Sequence, residues 1–241
     1  SISMRTVAAL LLFILPSIAV AQTYPTCSPT AKYYTAEGEK EDASTGESAP
    51  LPSLFKSNPQ DNEGWTSRYE WTIARQETPG TPIVHRFDED MEYTFTQSGT
   101  FVVTLRATFV QGNDTIRYGE PGQGDDNTFM VNIQQSVLEL PNTFTPNGDG
   151  YNDVLRVKEG YRSIISFRAV VFNRWGMKLY EWNDLDGGWD GRYHGSVVKD
   201  GAYYLVVEAK GADGEDYKIR KAINVLTTSN NPNGNGTDQT E

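Results

Sequence analysis

The stretch "TFVVTLRATFV", residues 100–110, alternates with a period of two. Phe101, Val103, Leu105, Ala107 and Phe109 point one way; Val102, Thr104, Arg106 and Thr108 point the other. That spacing puts one row of side chains on a core and the other toward water, as a strand in a sheet does. Similar runs lie on both sides. "RYEWTIA" and "EYTFTQSG" come before it; "QGNDT" reads as a turn and "TFMVNIQQ" closes the unit. No amphipathic helix of useful length interrupts them. Thirteen Tyr, ten Phe and five Trp in a Gly-rich chain favour strands further. Short strands with turns at this spacing indicate a β-sandwich.

A second unit follows. Ile165, Phe167, Ala169 and Val171 alternate, and Asn173-Arg174-Trp175-Gly176 reads as a hairpin turn returning through "MKLYEW". Tyr203, Leu205, Val207 and Ala209 form another strand face. Asp213-Gly214 turns the chain into a last strand carrying Tyr217, Ile219, Ile223 and Val225. A length of 241 residues suits two small domains. The expected fold is therefore all-β, two tandem antiparallel β-sandwiches of immunoglobulin-like type. The expected boundaries are 22–136 and 137–227, with a disordered polar tail over 228–241.

The first residues read as a targeting segment. Arg5 gives a positive start and residues 7–20 are apolar. Ala19-Val20-Ala21 supplies an A-x-A site, so a signal peptide 1–21 is expected, cleaved between Ala21 and Gln22. The apolar run is too short to span a bilayer, though a membrane anchor is the competing reading. Ser1-Ile2-Ser3 ahead of Met4 looks like a misassigned start. Cys27 is the single cysteine, so no internal disulfide forms, and Tyr24-Pro25-Thr26 before it does not fit a lipidation site. The formal charge of −11 repels phosphate backbones and anionic membranes, which excludes nucleic acid as a partner. Residues 35–52, "TAEGEKEDASTGESAPLP", are polar and acidic and read as a linker or a long surface loop.

Residues 141–157, "PNTFTPNGDGYNDVLRV", form the entrance to the second unit. Asn-Gly-Asp-Gly supplies turn geometry first. Calcium is the second reading. Thr145, Asn147, Asp149, the Tyr151 carbonyl and Asp153 fall at alternate positions, as in a calcium loop. Position one lacks a carboxylate and position twelve is Arg156, so Asn147, Asp149 and Asp153 would hold calcium weakly. No other cofactor is expected.

Catalysis finds little support. His85 and His194 are the two histidines, and neither sits near a nucleophile motif. No metal-binding His or Cys cluster occurs. The chain is not expected to be an enzyme. Trp65, Trp182 and Trp189 lie at loops or strand ends and are candidates for stacking a surface glycan. Core packing competes, most strongly for Trp175 and Trp189.

Two resemblances sharpen this reading. "APLPSLFKSNP", "YEWTI" and "YTFTQSGTFVVTLRATF" resemble the PKD-like immunoglobulin-type domains of bacterial surface proteins, over about residues 28–135. That resemblance makes Trp71 the core tryptophan. "FTPNGDGYND", "VVFNRWGMKLYEW", "GWDGRYHG" and "DGAYYLVVEA", in that order, resemble the gliding-motility-associated C-terminal domain of Bacteroidota, over about residues 138–226. The resemblance implies export by the type IX secretion system, with this domain as a non-cleaved sorting signal. It implies a secretion-system or outer-membrane protein as partner, and a place at the cell surface or outer membrane, with the periplasm as alternative. The chain would then be a sorted surface protein, an adhesin or glycan-binding module, or a periplasmic subunit of an outer-membrane complex. Asp114-Thr115-Ile116 resembles the short O-glycosylation site of exported Bacteroidota proteins, with Thr115 in an expected turn.

Overall fold

The structure, a computed structural model, describes residues 23–227. The expected signal peptide, its cleavage point at Ala21 and Gln22, and the tail 228–241 lie outside the described residues. The fold is all-β. The N-terminal unit contains β1 (Thr26–Cys27), β2 (Thr30–Thr35), β3 (Gly38–Lys40), β4 (Ala43–Glu47), β5 (Leu51–Lys56) and β6 (Pro59–Gln60). It continues with β7 (Thr66–Arg75), β8 (Pro82–Arg86), β9 (Asp90–Phe95), β10 (Gly99–Gln111), β11 (Asp114–Tyr118) and β12 (Thr128–Ile133).

One sheet runs β4-β12-β10-β7-β8, and the other β3-β2-β5-β9. The length of β10 explains the layout. Its first half pairs with β12 and its last five residues pair with β11, while β7 follows it on the other side. The alternating row meets the core as expected: Phe101, Val103, Leu105, Ala107 and Phe109 are all buried. Trp71, opposite Leu105, is fully buried and its Nε1–H donates to the Glu89 carbonyl at 3.0 Å. Across the sandwich Phe55 packs on Trp71, and within its own sheet on Tyr33, each with ring centroids 5.9 Å apart.

Residues 35–52 are not a loop. They hold β3, β4 and the start of β5, and β4 pairs in parallel with β12. Ala43, Glu47, Ala49 and Leu51 are buried there. Glu47 tolerates burial because Lys40 Nζ donates to its Oε1 at 2.9 Å. Asp114 and Thr115 also differ from expectation. They open the edge strand β11, with Thr115 exposed opposite Val110, and the turn is made by Gly112 and its neighbour before them.

The C-terminal unit contains β13 (Thr143–Phe144), β14 (Ile164–Phe172), β15 (Lys178–Trp182), β16 (Arg192–Tyr193), β17 (Ser196–Val197), β18 (Gly201–Gly211) and β19 (Asp216–Val225). Five of them form one sheet, β13-β19-β18-β14-β15. Phe167, Ala169, Val171, Leu205, Val207, Ala209, Ile223 and Val225 cover its inner face. Irregular chain supplies the facing layer: Leu138, Leu140, Leu155, Val157 and Trp189 close the core, with Phe144 of β13 beside them. A register shift between Ile164 and Ser166 turns Ile164 inward and leaves Ile165 exposed, against the simple alternation.

The two units are joined by more than a linker. Ser98 N–H donates to the Ala212 carbonyl at 3.0 Å, and Ala212 packs into the N-terminal core. Ser163 is fully buried at the same seam. Its N–H donates to Ser48 Oγ at 2.7 Å, and its Oγ accepts from Ala49 N–H at 3.2 Å. Ser136, on the connection, donates from N and Oγ to the Asp213 carboxylate at 2.8 and 2.7 Å. A Cβ on Gly211 would stand 2.2 Å from Ser136 Oγ, so this closure requires glycine. Limited proteolysis of the full chain should therefore spare residues 35–52 and 134–140. Ala212→Arg forces a long charged side chain into the seam, at a cost of about 1–3 kcal/mol for overpacking alone. It is expected to open residues 134–140 to cleavage; a variant as resistant as the parent would show that the seam is not tight.

Candidate functional site

The four ordered motifs of the C-terminal unit sit on structurally distinct parts of one module. "FTPNGDGYND" begins on β13, which pairs in parallel with the end of β19, and continues as the following loop. That loop satisfies itself. Asp153 accepts from Gly148 N–H and Gly150 N–H, both at 2.7 Å, and Asp149 Oδ1 accepts from Tyr151 N–H at 2.8 Å. Asn147 Oδ1 accepts from Asp149 N–H at 3.1 Å, and its Nδ2 donates to Asp149 Oδ2 at 3.0 Å. The structure thus brings Asn147, Asp149 and Asp153 together in one loop, with both carboxylates engaged by backbone N–H groups. Among the described residues no group of three His, Cys, Asp or Glu side chains gathers into a metal cluster.

The Gly148 and Gly150 N–H groups hold the Asp153 carboxyl below the usual carboxylate range. A depressed folded value means that the stabilisation is present above the unfolded value of about 3.9 and is lost as pH falls through the folded one. Acidification below about pH 4 should therefore release this loop before the sheet. Asp153→Asn should do so at neutral pH. Amide exchange at Gly148 and Gly150 measures both; unchanged protection in the variant would contradict the role given to Asp153.

"VVFNRWGMKLYEW" forms the β14–β15 hairpin. On its outer face Glu181 accepts from Arg168 Nε at 2.7 Å and from Lys178 Nζ at 2.9 Å, and these two cations pull its carboxyl down to about 2. "GWDGRYHG" places Trp189 at the centre of the core. Its ring lies 5.5 Å from Phe144 and 5.7 Å from Tyr203, and its Nε1–H donates to the Arg192 carbonyl at 2.9 Å. The backbone of Trp189 exchanges two hydrogen bonds with Leu155, at 2.8 and 3.0 Å. "DGAYYLVVEA" is β18, the strand with a ten-residue partner on each flank or nearly so: β19 pairs along its whole length and β14 along most of it.

The remaining sequence candidates scatter. His85 lies 2.7 Å from Glu70 and stacks beside Phe87, while His194 stacks on Tyr193; the two are on different units. Cys27 is buried in β1 opposite Pro59, and burial pushes its thiol up to about 12. The tryptophan reading is corrected. Trp182 and Trp189 are buried and offer no free ring face, and Trp65 is half-buried against the N-terminal core. Trp175, read as hairpin or core packing, is the most exposed large apolar side chain at 79%.

A small β module with its own core, locked to the end of a β-sandwich, is the class of arrangement these observations define. Residues 138–223 match the family model of the CHU_C type IX secretion signal domain. The C-terminal unit is a domain of that kind, which marks the chain as secreted or cell-surface and associates it with a secretion system. A search of curated proteins finds no match to the chain.

Proposed function

We propose that the chain is a non-enzymatic envelope or cell-surface protein, sorted and attached through its C-terminal domain. That domain docks on an outer-membrane or secretion-system protein. The observation that carries this reading is the match of residues 138–223 to a secretion signal domain. The folding of that stretch around its own core supports it, since a folded module presents a surface for a partner to read. The N-terminal sandwich, PKD-like in its motifs, is then the cargo. Removal of residues 1–21 before Gln22 delivers the chain to the periplasm as the first stage. His85 pairs with Glu70 on one unit and His194 stacks on Tyr193 on the other, so the two histidines do not converge on one site, which supports a role without catalysis. Thr115, exposed on an edge strand, is accessible to an O-glycan. Any calcium in the 147–153 loop would share the Asp149 and Asp153 carboxylates with the backbone N–H groups that already donate to them.

Fractionation of producing cells, with protease added to intact cells, tests the proposal. The full chain should be recovered in the medium or on the outer membrane, and be cut from outside. A chain found in the periplasm and protected in intact cells would favour a structural subunit of an outer-membrane complex instead.

A further inference from the structure

The C-terminal domain keeps one tryptophan out of its core. Trp175 stands on the turn between β14 and β15. Exposure of so large a ring sacrifices burial that the other core tryptophans enjoy. The turn is not loose. Asn173 Oδ1 accepts from Trp175 N–H at 2.9 Å and from Met177 N–H at 3.0 Å. Asn173 N–H donates to the Met177 carbonyl and Gly176 N–H to the Asn173 carbonyl, both at 3.0 Å. Gly176 supplies the positive φ, +79°, that closes it. The backbone that carries the ring is therefore fixed, which lowers the entropy cost of any contact made there.

Its surroundings are chemically mixed. The Arg174 guanidinium lies over the ring, 4.8 Å from its centroid, so one face carries a cation and the other is open. The turn into β18 forms the opposite wall. Together Asn173, Arg174, Trp175, Lys199, Asp200 and Tyr203 line a cleft of about 320 Å³. The Tyr203 hydroxyl is fixed by donation to the Lys199 carbonyl at 2.9 Å. Asp200 is fixed through Oδ1, which accepts from Thr227 N–H at 2.9 Å and from Thr227 Oγ1 at 2.6 Å. Two cations face one carboxylate here, in a chain whose formal charge is −11.

We propose that this cleft binds a saccharide, with a pyranose ring stacked on the open face of Trp175 and a carboxylate-bearing sugar, a uronic acid, selected by Lys199. The C–H face of a pyranose is apolar and flat, and an exposed indole matches it. Its rim of hydroxyls needs acceptors and donors on both sides, which the Asp200 carboxylate and the Asn173 side-chain amide supply. The carboxylate suits the Lys199 ammonium, a compact charge on the opposite wall, while Arg174 stays on the far face of the ring. The volume is at the small end of ligand sites and suits one or two sugar rings.

Tetragalacturonate titrated into the purified full chain tests this, with maltotetraose as the neutral control. Tryptophan fluorescence and calorimetry report binding. Saturable binding of the acidic sugar is expected, with a weaker response to the neutral one. Trp175→Ala should lower affinity by at least about tenfold, as loss of a central aromatic anchor does. Its melting temperature should stay that of the parent, because the ring is exposed. Lys199→Ala should narrow the preference for the acidic sugar. Absence of saturable binding to either sugar at about 10 mM would overturn the proposal, as would full affinity in Trp175→Ala. Equal affinity for the two sugars would overturn the selection for acid. Binding is read on purified protein and export in cells, so this proposal and the export reading fail separately. Loss of export in Trp175→Ala, with no sugar bound by the parent, would assign the surface to a protein partner and overturn the saccharide site.

Discussion

A chain ending before Asp216 is expected to lose its C-terminal fold entirely. β19 pairs with β18 over ten residues, from Gly201 opposite Val225 to Lys210 opposite Asp216, and β13 pairs on its other edge. Removing it takes Ile223 and Val225 out of the core and uncovers Leu205, Val207 and Ala209. It also strands β13, whose two residues have no other partner in the sheet. A domain this small has little stability to spare, about 5–15 kcal/mol in total, so the loss of a core strand exceeds it. Lys221 goes too, and with it the donation from its Nζ to the Leu140 carbonyl that ties the facing layer to the sheet. A chain ending at Thr227 keeps every described strand and should melt where the full chain does. Circular dichroism and thermal melts separate the two. A cooperative C-terminal transition in the chain lacking β19 would contradict this account.

Trp189→Ala carries the second large effect. The ring is fully buried and bridges Phe144 on one side and Tyr203 on the other. Its removal leaves a cavity in a layer built from irregular chain, and also frees the Arg192 carbonyl from its indole partner. Trp→Ala at such sites costs about 3–5 kcal/mol. That is a large share of the domain's margin. Urea unfolding should show the C-terminal midpoint falling sharply. The N-terminal sandwich, with its separate core around Trp71, should move less. A loss under about 1 kcal/mol would mean that the facing layer repacks freely, and that Trp189 is not its keystone.

The strands that alternate large apolar and polar residues were legible in the sequence. β10, β18 and β19 carry bulky residues on one face along most of their length, so their period and their buried row agree with the structure. β4 was not legible. "ASTGE" has no large apolar side chain; its Ala43 is buried because β4 lies in parallel beside β12, a long-range pairing that local composition does not encode. Ile165 was misread for a different reason. A one-residue shift at the start of β14 reverses which side chain faces inward, and the residues themselves give no sign of it. The seam was invisible because it is made of small residues and backbone groups: Ser98, Ser136, Ser163, Gly211 and Ala212. The order of the four motifs did identify the C-terminal domain. It did not say which side chains stand out from it. Trp175 lies within a motif, and motif membership alone does not distinguish a core ring from an exposed one.

The claim that the folded C-terminal domain is the export signal is tested most directly by comparing three chains in cells: the full chain, the chain ending at Thr227, and the chain ending before Asp216. Each is assayed by external protease on intact cells, with the periplasmic fraction blotted alongside. The account predicts that the first two reach the cell exterior, and that the third, if it survives periplasmic proteolysis, stays in the periplasm. Export of the strand-deleted chain at the level of the full chain, with its C-terminal domain unfolded, would contradict it.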